Sequence, residues 1–309
     1  MGRRKRKKKR LIILIVVMLL MTVAAAGYIL HRGTELSGER AETVKDAVIE
    51  DLQETAESLP DITDLYGRYE VADHVYSYRG SEGSLEHSFQ AYDAAIEAGS
   101  HNIHQDIVIS SDGVLFVSYE ISGLKMTGNR DFYKDMTAAE IDELRTHEGN
   151  KILRLSEVFD KYGRDVHYLV QFSVTGSDIV TAFEEIIDQY GYEDIVTAMS
   201  DEPEVLETLE EKYPDMTKML VCKTPGLFTR SLDMPYVDNI SVKVIAGLMK
   251  EERVQLAHEH DKEFSAWTLD TESEIKSAID MGVDSYFTND TALAIGIEEE
   301  YGVETRGKQ

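Results

Sequence analysis

The sequence predicts an α/β fold in which eight parallel strands close into a (β/α)8 TIM barrel. From residue 71 onward, short runs rich in β-branched and aromatic residues alternate with amphipathic helical patterns. This alternation is typical of a parallel sheet whose strands are connected by helices. Eight such strand patterns share about 240 residues, which is the usual size of this barrel. We therefore assign 71–309 to one barrel domain.

Residues 1–30, which precede the barrel, are predicted to form a membrane anchor. Residues 1–10 hold eight of the 32 basic residues and no acid, and residues 11–30 carry no charge. Twenty helical residues span about 30 Å, the thickness of a bilayer core. Basic residues before the apolar run place the amino terminus in the cytoplasm and the barrel outside it, at the cell membrane. A cleaved signal peptide, with its site near Ala24–Ala26, is the alternative.

Residues 31–70 are predicted to form a short, partly helical stalk. Residues 39–59 favour a helix, with a narrow apolar stripe at Val44, Val48 and Leu52. Pro60 then ends the pattern. This prediction gives the chain a spacer between its anchor and its barrel.

The barrel strands and helices follow in order. The predicted strands are 74–78, 102–109, 167–172, 194–198, 218–221, 240–244, 264–268 and 284–288. A first helix is predicted from Glu86 to Ala98, before the cap residue Gly99. Thr137 and Glu140 form a capping box, and Pro203 begins another helix. The turn signal at 110–113 predicts that 114–119 returns as an antiparallel hairpin after the second strand.

Charge and cysteine content exclude some classes of function. The chain has a net charge of −26, with 58 acidic residues. A surface this acidic repels nucleic acid and anionic lipid, and no DNA or RNA partner is expected. A single cysteine, Cys222, excludes an internal disulfide bond.

Polar side chains gather where the predicted strands end, which is where barrels of this kind place their working residues. Strand alternation puts His104 and Asp106 on one face of their strand. The residues expected to meet at this end of the barrel are Tyr78, Arg79, His104, Asp106, Tyr119, Glu120, Gln171 and Ser173. From residue type alone, the set of His104, Asp106 and Gln171 is a poor metal site.

An ordered set of motifs resembles the glycerophosphodiester phosphodiesterase family, a branch of the phospholipase-C-like barrels. The family's His-Arg-Gly reads Tyr78-Arg79-Gly80 here, its Pro-Glu-Asn-Thr reads Leu85-Glu86-His87-Ser88, and its Ile-Glu-x-Asp reads Ile103-His104-Gln105-Asp106. Further matches are Asp112-Gly113, Tyr119-Glu120 for His-Asp, 152–158, Trp267-Thr268, and 282–284 with Thr288. The resemblance covers about 71–290, in order and in spacing.

The resemblance also implies which residues carry the chemistry. The family's two acid–base histidines become Tyr78 and Tyr119, and its two metal-binding glutamates become His104 and Gln171. Asp106 keeps the third metal-ligand position, for a calcium or magnesium ion, and Arg79 keeps the phosphate-binding position. Ser173 replaces a lysine. The substrate-binding positions implied are Arg79, Glu86, Glu120, Ser173 and Trp267.

These replacements leave three interpretations. The first is a catalytically degenerate barrel that binds a phosphodiester, a polyol, a cell-surface polymer or a protein. It is favoured because tyrosine, with a pKa near 10, is a poor base at neutral pH. The second is a metal-dependent hydrolase with an altered site, which releases glycerol 3-phosphate and an alcohol and uses His104 as acid or base. The third is an architectural module whose pocket is filled by its two tyrosines.

Overall fold

Eight parallel strands surround a barrel interior filled by side chains. The computed structural model describes residues 74–81, 86–244 and 247–301, which belong to one compact unit, Tyr69–Gln309. The strands are β1 Val75–Ser77, β2 Asn102–Ile109, β3 Leu115–Val117, β4 His167–Phe172, β5 Val196–Ser200, β6 Thr217–Cys222, β7 Asn239–Lys243, β8 Glu263–Trp267 and β9 Ser285–Thr288.

Helices follow most of the strands, as the alternating pattern predicts. They are α1 Phe89–Glu97, α2 Leu124–Thr127, α3 Ala138–Asp142, α4 Leu155–Tyr162, α5 Ser177–Tyr190, α6 Pro203–Lys212, α7 Pro225–Ser231, α8 Glu251–Glu259, α9 Glu272–Asp280 and α10 Thr291–Tyr301. The predicted capping box of Thr137 and Glu140 is present at α3, and Pro203 begins α6.

The barrel closes through its first strand. β1 pairs in parallel with β9, where Ser77 faces Thr288, and with β2, where Ser77 faces Ile103. β3 pairs antiparallel with β2 as the predicted hairpin, after a turn in which Gly113 has φ +86°. A positive φ is available to glycine without steric cost. The predicted (β/α)8 barrel with a hairpin after its second strand is confirmed.

Several strand ends differ from the sequence prediction by one residue, and the larger differences are at β5 and at the start of α1. β5 begins at Val196, not at 194, because the Ile195 N–H bonds the Tyr192 carbonyl in a turn. α1 begins at Phe89, not at Glu86, because the Ser88 side chain accepts a hydrogen bond from the Ala91 N–H and caps the helix there. Glu86 is therefore in the turn before the helix, where its side chain is available to the mouth of the barrel.

Apolar side chains inside the barrel support the residues at its mouth. The cluster comprises Leu169, Met199, Met219, Val221 and Phe287, and it packs against Tyr76, Tyr78 and Trp267. Its five core members are each no more than 2% exposed. Close packing of this kind holds the rings above it in fixed orientations.

The predicted basic tail at 1–10, the predicted anchor at 11–30 and the predicted stalk at 31–70 lie outside the described residues. Within the described ranges, none of the helices combines the length and the apolar composition needed to cross a bilayer.

Candidate active site at the barrel mouth

Arg79 lies at the centre of the site because a tight turn follows β1. Residues Tyr78–Gly80 form a single 3-10 turn, and Arg79 itself has a φ of 58°. Left-handed backbone in a residue other than glycine costs on the order of 1–2 kcal/mol, so the surrounding contacts must hold it. At Gly80 (φ +91°) a Cβ would come within 2.6 Å of the Tyr92 ring. Only glycine fits this position.

Four side chains contact the guanidinium of Arg79. Its Nε donates to Asp106 Oδ2 at 2.9 Å, one Nη donates to Glu86 Oε2 at 3.1 Å, and the other donates to the Tyr78 hydroxyl at 3.0 Å. The Tyr119 ring covers it, with 4.2 Å from the guanidinium carbon to the ring centroid. Of five N–H groups on an arginine, three are used here, and two remain for a ligand.

Asp106 is the acceptor that organises the site. It is 3% exposed, and its Oδ2 also accepts a hydrogen bond from His87 Nε2 at 3.1 Å. Burial by itself raises the pKa of the Asp106 carboxyl, but the neighbouring His104, His87 and Arg79 hold that pKa well below its ordinary value. Asp106 is therefore a carboxylate at neutral pH, and it is already paired with a cation.

His87 is a site residue that the sequence interpretation missed. The Asp106 carboxylate only accepts, so His87 Nε2 carries the proton and Nδ1 accepts from the Tyr92 hydroxyl at 3.1 Å. Burial lowers the pKa of His87 and keeps the ring neutral. The available signal was its position between Glu86 and Ser88, inside a matched motif.

His104 and Gln171 meet as predicted, but they form a hydrogen-bonded pair. His104 Nε2 lies 3.3 Å from Gln171 Oε1, and its ring stacks on Tyr78 with centroids 5.0 Å apart. Burial lowers the pKa of His104 to about 4, so the ring is neutral at pH 7. Because Gln171 Oε1 only accepts, His104 Nδ1 is an unprotonated nitrogen, and it has no partner among the described residues.

The two tyrosines at the family's histidine positions are both protonated at neutral pH. Burial raises the pKa of Tyr78 to about 12, and burial also raises the pKa of Tyr119. A phenol in this state donates a hydrogen bond and is a poor general base. Both side chains lie at the mouth, as the resemblance implies.

The residues at the implied metal-ligand positions do not fit a calcium or magnesium ion. These ions prefer several charged oxygen ligands. His104, Asp106 and Gln171 supply one carboxylate, and that carboxylate already accepts from Arg79 and His87. Across the described part of the chain, no three or more His, Cys, Asp or Glu side chains are grouped to hold a metal ion.

The remaining predicted residues lie at the edge of the site. Glu120 accepts from the backbone N–H of Lys125 at 2.7 Å and forms an ion pair with its side chain. The Ser173 hydroxyl donates to the Ser118 carbonyl, and its Oγ lies 3.5 Å from Asp106 Oδ1. Trp267 lines the barrel interior, and its indole N–H has no partner within the described residues.

Two cavities lie beside the tyrosines that contact Arg79, one beside each, and Arg79 itself is not among the residues that line them. A hollow of about 10 Å³, the size of one water, is lined by Tyr78, Gln171, Met199, Val221, Trp267 and Phe287. A polar groove of about 150 Å³ is lined by 86–88, Tyr119, Lys125, Met126, 146–148, Asn150 and Lys151. The guanidinium carbon lies 4.6 Å from the Tyr78 ring centroid and 4.2 Å from that of Tyr119. Each cavity is thus next to a ring that contacts the Arg79 guanidinium.

The buried histidine predicts an acid-sensitive stability. Unfolded His104 takes up a proton near pH 6.5, whereas in the folded protein it does so only near pH 4. Stability is therefore lost as pH falls through this window, by about 3 kcal/mol from this group. Urea unfolding at pH 7 and pH 4.5 measures the loss. We expect His104→Gln to reduce it, and an equal loss in wild type and variant would contradict this account.

Comparison with known proteins agrees with the geometry of the barrel. Residues 78–293 match the family described as "Glycerophosphoryl diester phosphodiesterase family". A glycerophosphodiester phosphodiesterase from Bacillus altitudinis is 24% identical over 247 residues, which cover 73% of this chain and 98% of the relative. A second from Bacillus subtilis (strain 168) is 21% identical over 255 residues, covering 73% and 86%.

Solved structures share the fold. A phosphodiesterase from Oleispira antarctica, in complex with the product sn-glycerol-3-phosphate, superposes with a TM-score of 0.66 at 16% identity, covering 73% of this chain and 96% of that one. A glycerophosphodiester phosphodiesterase from Thermotoga maritima gives a TM-score of 0.60 at 21% identity, covering 72% and 97%. The match from Tyr78 to Leu293 spans more than two thirds of the sequence, and the chain belongs to the glycerophosphoryl diester phosphodiesterase family.

Proposed function

We propose that this chain is a catalytically degenerate member of its family that binds a phosphodiester or a polyol at the barrel mouth. The observation that carries the proposal is the replacement of a carboxylate-rich site by hydrogen-bond donors. Within the described ranges, two N–H groups of Arg79, the Tyr78 hydroxyl proton, the Gln171 amide and the Trp267 indole N–H remain to be satisfied. These donors match the oxygens of a phosphodiester or a polyol.

The same contacts disfavour the family reaction. Hydrolysis needs a group that takes up a proton at working pH, and both tyrosines have raised pKa values. His87 is buried between Asp106 and Tyr92, so both of its ring nitrogens are occupied. The one carboxylate at the centre is neutralised by Arg79. A bound ligand would therefore meet mainly donors and no hard-cation site, and among the described residues His104 Nδ1 is left as the candidate base.

A second candidate is a phosphodiester hydrolase that releases glycerol 3-phosphate and an alcohol. One observation favours it: His104 Nδ1 is an unprotonated nitrogen without a partner among the described residues, and its ring lies against Tyr78. In that case His104 is the acid or base, and Asp106 holds a cation with Glu120 or Gln171. The cost of this arrangement is that Asp106 must give up its pairing with Arg79.

We also propose that the chain is anchored in the cell membrane. The basic run at 1–10 and the apolar run at 11–30 support a single-pass anchor with the amino terminus in the cytoplasm and the barrel outside. No nucleic acid partner is proposed, because the chain carries a net charge of −26.

Ligand binding is testable with the protein's own fluorescence. Trp267 is the chain's single tryptophan, and it lines the hollow in the barrel interior together with Tyr78 and Gln171. We expect a saturable change in its emission when glycerophosphodiesters are titrated into the full-length chain in detergent with a chelator present. Glycerol and inorganic phosphate, titrated separately, identify which half of the ligand is recognised. If none of these compounds changes the emission or raises Tm, the binding proposal is wrong.

A further inference from the structure

Exposed apolar side chains are concentrated in one loop of the described protein. Among the described residues, the large hydrophobic side chains with the greatest exposure are Ile121 (49%), Leu124 (48%), Phe132 (45%), Tyr301 (41%) and Leu293 (37%). The first three fall within twelve residues. They belong to the segment 118–136, which follows β3 and is called the mouth loop below.

The mouth loop is folded, so its apolar residues are held outward by a framework. Ser122 and Phe132 form an antiparallel bridge, and the Tyr133 N–H bonds the Ile121 carbonyl at 3.1 Å. Met126 and Tyr133 are buried in a second core cluster, which also contains Val108 of β2 and Phe116 of β3. Other apolar residues of the same loop are thus buried, whereas Ile121, Leu124 and Phe132 are left half exposed.

The tip of the loop is basic in an otherwise acidic protein. Residues 121–134 contain Lys125, Arg130 and Lys134 against one acid, Asp131, a net charge of +2 in a chain of −26, and the acids at either end of the loop, Glu120 and Asp135, bring the whole mouth loop to zero. All three basic side chains are exposed, and the Lys134 ammonium lies 6.0 Å from the Phe132 ring centroid. Apolar side chains among basic ones are the composition of segments that lie in the interface of an anionic membrane.

The loop is continuous with the mouth of the barrel. Tyr119 covers the Arg79 guanidinium, and Lys125 and Met126 line the polar groove. The Lys125 ammonium lies 5.8 Å from the Tyr119 ring centroid. A surface that receives the loop tip therefore faces the entrance to the groove.

We propose that the mouth loop inserts Ile121, Leu124 and Phe132 into the headgroup region of a lipid bilayer, so that the mouth faces the membrane. The predicted anchor ends at residue 30 and the described barrel begins at 74, which leaves 31–73 between them. Fully extended, that many residues reach on the order of 140 Å, enough for the barrel to turn back to the surface. The loop is then a second membrane contact, and the proposal stands whatever the mouth binds.

A fluorescent label tests the contact in the intact protein. Burial raises the pKa of the only native thiol, Cys222, to about 12, so an introduced cysteine is labelled selectively. Leu124→Cys places an environment-sensitive dye on the loop tip. Glu193→Cys places the same dye on the exposed loop before β5, at the opposite end of the barrel. Both full-length proteins are reconstituted into vesicles of phosphatidylcholine, with and without phosphatidylglycerol.

We expect a blue shift of the dye at position 124, with quenching by lipids that carry a quencher near the headgroup, and neither effect at position 193. Ile121→Ser with Phe132→Ser is expected to reduce the shift at position 124 while Tm is unchanged. Equal emission at 124 and 193 would overturn the proposal. So would failure of the full-length chain to float with vesicles, or a shift that depends on the protein-to-lipid ratio, which would indicate a second copy.

Discussion

Asp106→Ala is expected to lower the free energy of unfolding by about 3–5 kcal/mol and to abolish ligand binding. The carboxylate is 3% exposed and accepts from both Arg79 and His87. Its removal leaves a largely buried guanidinium without its counter-charge and a buried N–H without an acceptor. Urea unfolding of the full-length chain in detergent measures the loss, and Trp267 emission reports the binding.

The chain offers a matched control for this variant. Asp194 also pairs with an arginine, Arg164, but both side chains are about half exposed. An exposed ion pair contributes about 0–1 kcal/mol, so Asp194→Ala should change stability by no more than that. If both aspartate variants lose the same small amount of stability, Asp106 does not organise the mouth as we describe.

Arg79→Lys is expected to weaken ligand binding about 10- to 100-fold although the charge is kept. Arg79 bonds Asp106, Glu86 and the Tyr78 hydroxyl through three different nitrogens, which fixes the plane of its two remaining N–H groups. An ammonium cannot reproduce this fork, and each charged hydrogen bond lost costs about 1.5–3 kcal/mol. Titration of glycerophosphodiesters against Trp267 emission compares the variant with wild type.

Arg164→Lys is the control for the exchange, because it makes the same substitution in an exposed pair at the other end of the barrel. Its affinity should match that of wild type. A wild-type affinity in Arg79→Lys would mean that the guanidinium does not contact the ligand, and it would move the binding site away from the mouth.

The sequence predicted the barrel because its strands and helices are local patterns. Alternating runs, the Thr137 capping box, Pro203 and the turn at Asp112-Gly113 each act over a few residues, and all are found in the structure. The boundary of β5 was missed because Ile195 contributes to a turn that depends on Tyr192. Apolar composition alone does not distinguish the end of a turn from the start of a strand.

The site was predicted as a set of positions but not as a set of contacts. The positions meet at the barrel mouth because parallel strands end at one edge. The ion pair between Arg79 and Asp106 joins residues that are 27 apart in the sequence. The hydrogen bonds that connect Tyr92 to His87 and His87 to Asp106 depend on how α1 is capped. The sequence prediction began this helix at Glu86 and therefore placed His87 inside it, so the hydrogen bonds of His87 in the site were not predicted.

The most direct test of catalytic degeneracy is a hydrolysis assay of the full-length chain. A panel of glycerophosphodiesters is incubated with calcium, magnesium, manganese or zinc, and Asp106→Asn is assayed alongside. Trp267 emission confirms that the wild-type sample is folded. We expect no release of glycerol 3-phosphate above that of the variant with any of the four ions. Metal-dependent turnover that disappears in Asp106→Asn would contradict the account and establish the chain as a hydrolase.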